Sequence, residues 1–148
     1  MDKIQLTIDQ CLEDLRRQTG ADFSAFACEE PNEPVIRWKY AMGNRNERFR
    51  RIVLRPGKGI AGKVLLSGRL MILENYEPKQ HDDPREYPIL YAEELKSALA
   101  VPVVIQDRIK GVVLIGYRSP CVIEERVVGL GKQIAGQVGD LLKAEEME

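Results

Sequence analysis

Arg55-Pro-Gly-Lys-Gly-Ile-Ala-Gly-Lys-Val-Leu-Leu-Ser-Gly-Arg-Leu-Met-Ile-Leu-Glu-Asn75 is the stretch on which the reading of this chain turns. Gly57, Gly59 and Gly62 crowd a turn (57–62) that opens into the apolar-periodic run Ile60, Ala61, Val64, Leu65. Glycine admits positive φ and close approach of the backbone to another group. A helix starting there has unpaired N–H groups in its first turn and partial positive charge at that end. The segment therefore suits something negative, small and close to the backbone. The alternative is that the glycines only permit tight helix–sheet packing. Gly57 to Lys63 also fits G-x-x-x-x-G-K, but a nucleotide-binding loop needs Ser or Thr next to ligate magnesium, and Val64 stands there. No run of parallel β-α units surrounds the turn either.

Outward from the turn, the short helix breaks at Gly68 and a strand follows at Leu70 to Leu73. Upstream, Ile4, Ile8, Cys11, Leu12 and Leu15 recur at helical spacing and predict an amphipathic helix over 2–18. Asp22 to Cys28 reads as a strand. In Val35 to Met42 the alternation places Ile36, Trp38, Tyr40 and Met42 on one side and Arg37 and Lys39 on the other, so Trp38 should point inward. Downstream, 75–94 is an irregular loop holding Pro78, Pro84 and Pro88. A long connection of this kind inside a compact domain is more often functional than filler. Ser97 to Ile105 and Lys110 to Tyr117 follow as strands joined by a tight turn, with Pro102 expected at an edge or bulge. Gly111 to Gly116 is apolar on both faces, as in a strand covered on both sides.

The last helix is expected over 123–144, with Val127, Leu130, Ile134, Val138, Leu141 and Leu142 as its apolar stripe. Gly129, Gly131, Gly136 and Gly139 each weaken it by about 1 kcal/mol relative to alanine. They make sense where another helix approaches closely, and the N-terminal helix is the obvious partner. These elements predict a single α+β domain over 1–148: a mostly antiparallel sheet, the terminal helices on one face, and a ligand pocket on the other.

Composition narrows the function. With 22 basic and 23 acidic residues the net charge is −1, so no global field points to nucleic acid or a membrane surface. No apolar run approaches a membrane span and the N-terminus has no apolar signal region, so a cytoplasmic protein is expected. Cys11, Cys28 and Cys121 are odd in number and widely spaced, with no C-x-x-C, which argues against a disulfide framework or zinc. Cys11 falls on the apolar stripe of the first helix. His81, Asp82 and Asp83 are adjacent, and neighbours in sequence rarely converge on one ion, so they read as solvated.

The glycine turn Gly57-Lys-Gly-Ile-Ala-Gly62-Lys-Val, Ser67-Gly68-Arg69, and the strand pair Ala98-Leu-Ala-Val-Pro102 with Gly111-Val-Val-Leu-Ile carry a resemblance to the GAF domain. It spans nearly the whole chain and implies a stand-alone GAF protein. Trp38, Gly59-Ile-Ala-Gly62 and Tyr87-Pro-Ile-Leu90 resemble most the nitrate receptors of that superfamily, which work beside a sensor histidine kinase. What the resemblance implies is a site at Trp38, Ile60, Ala61, Tyr87 and Ile89, with nitrate as ligand and neither metal nor cofactor. Those receptors have Leu where Ile60 stands; contact through the backbone N–H would leave that change with little effect.

The chemistry is consistent. A buried anion needs donors, since an uncompensated charge in an apolar site is very costly. The Trp38 indole donates only, the Tyr87 hydroxyl can donate, and the Ile60 and Ala61 amides would add a helix N-terminus. Donors without full positive charge favour a weak monoanion over phosphate or sulfate. The implied mechanism closes the 75–94 loop over nitrate, with the ligand-free form restraining the kinase. The terminal helices are the surface expected for a homodimer or for kinase docking, and the sequence does not choose between them.

Two other functions remain in view. A free methionine-(R)-sulfoxide reductase is also a stand-alone GAF protein, but needs a thiolate and a resolving cysteine at the pocket. Ile60 and Ala61 stand where such enzymes resemble one another in carrying cysteine. A cyclic-nucleotide module would need a larger pocket with a purine-edge reader, and the Asn-Lys-Phe-Asp-Glu pattern of those domains is missing.

Overall fold

The computed structural model describes residues 3–77 and 86–146 of the 148. Six strands, β1 (Phe23–Glu29), β2 (Ile36–Met42), β3 (Val53–Leu54), β4 (Met71–Leu73), β5 (Ser97–Ile105) and β6 (Arg108–Tyr117), form one sheet in the order β3-β2-β1-β6-β5-β4. Every neighbouring pair is antiparallel. Among the described residues four α-helices accompany it: α1 (Lys3–Thr19), α2 (Gly59–Ser67), α3 (Pro88–Glu93) and α4 (Glu125–Glu146). The fold is α+β, as the residue pattern predicts.

Period-two side-chain alternation divides the sheet into two buried faces. On one, α1 and α4 cover Phe26, Leu99, Val101, Val103, Val113 and Ile115. On the other, Ala25, Ala27, Ala98, Ala100, Val112 and Leu114 pack beneath residues of α2 and α3. Strand β6 thus contributes Val112 and Leu114 to one core and Val113 and Ile115 to the other, as its two-sided apolar pattern predicts. Gln106 and Asp107 both take positive φ (51° and 66°), the geometry of a two-residue hairpin matched to strand twist. Pro102 pairs with Val112 on one side. Strand β4 reaches only as far as Ala100, so Pro102 lies where β5 has become the sheet edge.

The β2 alternation holds for half its length. Ala27 faces Trp38 but Phe26 faces Tyr40, so Lys39 is an extra residue, a β-bulge. The bulge reverses the facing of the residues beyond it. Ile36 and Trp38 enter the α2–α3 core, whereas Tyr40 and Met42 pack into the α1–α4 core and Ala41 takes the other side. Tyr40 there lies near-parallel to Phe26, with centroids 6.2 Å apart.

The α4 glycines also serve a different neighbour from the expected one. A Cβ at Gly131 would lie 3.0 Å from Leu99 Cδ2, and one at Gly139 2.9 Å from the Val104 carbonyl oxygen. Both contacts are to β5, so the close approach is helix to sheet and not α4 to α1. Gly129 and Gly136 face open space. The loop expected over 75–94 contains α3; Pro78 to Arg85, with His81, Asp82 and Asp83, fall outside the described residues.

Candidate functional site

The glycine turn is built against its own chain. Gly57 N–H donates to the Gly62 carbonyl (2.9 Å) and Lys58 N–H to the Arg55 carbonyl (2.9 Å). A Cβ on Gly62 would sit 2.6 Å from the Arg55 oxygen. Gly59 has φ +65°, and a Cβ there would meet Leu54 Cδ2 at 2.8 Å. The glycines therefore allow the turn to fold on itself and on β3. Tight packing explains them, and two turn amides already have acceptors. What stays available is the first turn of α2, whose N-cap Lys58 makes no side-chain cap. Its N–H groups have no intrahelical partners and carry the positive end of the helix dipole.

The five residues expected at the site, Trp38, Ile60, Ala61, Tyr87 and Ile89, all lie in one buried cluster, none more than 6% exposed. Ile60 and Ala61 come from the start of α2, Trp38 from β2 ahead of the bulge. Tyr87 is the N-cap of α3 and Ile89 lies in its first turn. The Trp38 indole Nε1 is buried and has no hydrogen-bond partner among the described residues. A buried N–H without an acceptor costs about 1–3 kcal/mol, so it marks a place where an acceptor belongs.

Two further residues complete the cluster. Tyr76 packs edge-on against Tyr87, with centroids 5.3 Å apart and planes at 80°. Lys63 Nζ donates to the Tyr87 hydroxyl at 3.1 Å and lies 4.6 Å from the Tyr87 ring centroid. That hydrogen bond raises the lysine pKa against the opposing effect of burial, so the group is an ammonium. A formal positive charge therefore stands beside the Tyr87 hydroxyl, in addition to the uncharged donors that the residue pattern names. Lys63 was visible in the sequence only as the terminal lysine of a failed nucleotide motif. Tyr76 had no signal beyond its place in the irregular segment.

An open surface cleft of about 810 Å³ is a neighbour of this cluster and not its centre. Arg45, Arg48, Tyr91 and Arg118 line it, and it shares Tyr76, Leu90 and Leu95 with the buried group, but Trp38 is not on its wall. Among the described residues no three His, Cys, Asp or Glu side chains are grouped to hold a metal. Cys28 and Cys121 pack with the opposite, α1–α4 core. Burial pushes the Cys28 thiol up to about 11, far from the thiolate a nucleophile requires.

Residues 4–143 match the family model of the GAF domain. This chain belongs to the GAF-domain family. Among solved structures the domain is similar to NreA of Staphylococcus aureus mutated in its nitrate binding site. The two are 35% identical with a TM-score of 0.72, over 81% of this chain and 92% of that one. The free methionine-R-sulfoxide reductase of Neisseria meningitidis, solved with its substrate, superposes with a TM-score of 0.78 over 98% of this chain and 81% of that one. At 13% identity it shares the fold alone. A curated relative, the HTH-type transcriptional activator RamA of Corynebacterium glutamicum, is 25% identical over 123 residues, or 82% of this chain. The matched stretch spans 43% of that relative's length. No helix among the described residues is long and apolar enough to cross a membrane.

Proposed function

We propose that this GAF domain is a nitrate sensor that holds the ion between Trp38, the first-turn amides of Ile60 and Ala61, and Tyr87. The observation that carries the reading is the Trp38 Nε1, buried and without an acceptor, in the same core as an uncapped helix start. Similarity to a protein whose structure is described by its nitrate binding site supports the ligand. Nitrate is flat, weakly hydrated and singly charged, so a few aimed N–H and O–H donors compensate its burial. A dianion would ask for more.

In this reading occupancy draws the start of α3, which carries Tyr87 and Ile89, toward α2 and over the ion. The changed surface then releases a sensor histidine kinase that the ligand-free form restrains. The exposed sides of α1 and α4 are where the kinase or a second copy would dock. A ligand biases such an equilibrium only through its differential affinity for the closed state. Reductase chemistry is not favoured, since Cys28 and Cys121 lie on the far side of the sheet from the cluster.

Calorimetry and thermal shift against nitrate, nitrite, chloride, sulfate, phosphate, methionine sulfoxide and cyclic nucleotides test the proposal. Nitrate at a hundred times its dissociation constant should add about 2.7 kcal/mol of stability. Trp38→Phe keeps an aromatic ring but removes the donor, and should weaken nitrate binding roughly tenfold or more. Unchanged affinity in that variant would overturn the site.

A further inference from the structure

The lysine that ended the failed nucleotide motif has a use in this geometry. We propose that Lys63 is the positioning residue of the anion site: its ammonium occupies the Tyr87 hydroxyl oxygen and so directs the phenolic proton to the bound anion. This rests on the nitrate reading of the site.

The argument is one of donors and acceptors. An ammonium has three donors and no acceptor, whereas a phenol has one proton and lone pairs to accept with. At 3.1 Å, Lys63 Nζ can only donate, so the Tyr87 oxygen accepts and its own proton must find another partner. Tyr87 is buried, and among the described residues no acceptor takes that proton. An anion in the cluster supplies one. Accepting from a cation also polarises the phenol, which strengthens the bond it donates.

Lys63 also joins the two halves of the site. It lies three residues beyond Ile60 on α2, on the same helical face. Its side chain reaches Glu86 Oε1 (3.4 Å) as well as Tyr87, both at the entry to α3. The ammonium lies over the Tyr87 ring at 4.6 Å, an attraction that fixes the ring as well as the hydroxyl. Lys63 and Glu86 are each well over a third exposed (38% and 40%), so the carboxylate pair is screened and added salt should weaken it. The hydrogen bond to the buried hydroxyl is the persistent part.

Nitrate calorimetry on native protein and on Lys63→Met, Lys63→Arg, Tyr87→Phe, the Lys63→Met/Tyr87→Phe double variant and Trp38→Phe tests the assignment at fixed ionic strength. Lys63→Met should weaken nitrate binding roughly fivefold, the scale of one partly exposed charge-assisted hydrogen bond. Lys63→Arg, which keeps charge and donors, should restore most of that loss. In the Tyr87→Phe background Lys63→Met should add nothing, because its effect passes through the hydroxyl. Thermal melts without nitrate report whether each variant is folded, and Lys63→Gln replaces Lys63→Met if that variant is not. Native-like affinity in Lys63→Met, or the same loss with and without the Tyr87 hydroxyl, overturns the role of Lys63. If Trp38→Phe loses binding in the same series, the nitrate reading itself stands. No nitrate heat in native protein overturns both.

Discussion

At the scale of single residues, the chain places its reactive groups by burial more than by sequence. Cys28 ends up largely inside the α1–α4 core, where desolvation outweighs the pull of nearby Lys39 and holds the thiol protonated to about pH 11. The unfolded thiol ionises near 9.0. Stability from this group is therefore complete below pH 9, and drains away between 9 and 11 as the unfolded state alone loses its proton. The loss amounts to about 3 kcal/mol at the upper end. Urea unfolding at intervals across that range should show native protein losing stability faster than Cys28→Ala; parallel curves would contradict it. Trp38 was legible as an inward-pointing indole because it precedes the bulge. Tyr40, two positions later and identical in pattern, was not, because one unpaired residue on β2 sends it to the other core.

Among the elements, α4 shows how little composition says about packing. Four glycines in one helix look alike in sequence, yet two meet the sheet and two meet open space. Gly129→Ala and Gly136→Ala should each stabilise the domain by about 0.5–1 kcal/mol, through helix propensity and a less flexible unfolded chain. Gly139→Ala should instead destabilise it by about 1–3 kcal/mol, because a Cβ 2.9 Å from the Val104 carbonyl cannot be accommodated without shifting backbone. Chemical denaturation of the three variants separates the signs. In the glycine turn, the helix start was legible from spacing. The identity of the group at close range was not: it is the Arg55 carbonyl, brought there by the turn's own hydrogen bonds. Helix α3 was missed because Pro88 and a short apolar run of Ile, Leu and Tyr resemble loop as much as helix. Proline is nevertheless well suited to the first helical position it occupies.

For the whole molecule, a buried ion pair ties α3, the helix that carries Ile89, to the sheet. Glu93, at the end of α3 and fully buried, accepts from Arg118 Nη2 at 2.5 Å and from the Arg45 amide at 2.9 Å. Arg118 also donates to the Glu93 carbonyl (3.0 Å) and to the Gly43 carbonyl (3.1 Å), and its amide donates to Asp22 Oδ2 at 2.7 Å. One arginine thus joins α3, the end of β6 and the segment after β2. Arg118→Met leaves the Glu93 carboxylate buried without its counter-charge and should cost about 3–5 kcal/mol. Adding Glu93→Gln should recover part of that loss, since the uncompensated charge is gone. Thermal unfolding reads both, and a loss under about 1 kcal/mol would mean that water or another cation replaces the guanidinium.

Local pattern by itself determined the α+β class, the antiparallel strands, the helix beginning at the glycine turn and the inward-facing Trp38. Each comes from spacing along a few residues: period two, period 3.6, and glycine where a turn requires it. Only the tertiary structure decided the bulge that splits β2 between two cores, the sheet as the neighbour of Gly131 and Gly139, and the Glu93–Arg118 pair. The same holds for the ammonium of Lys63 on the Tyr87 hydroxyl. Those contacts join residues far apart in the chain, and their partners are chosen by sheet register and layer packing, which no short window of sequence contains.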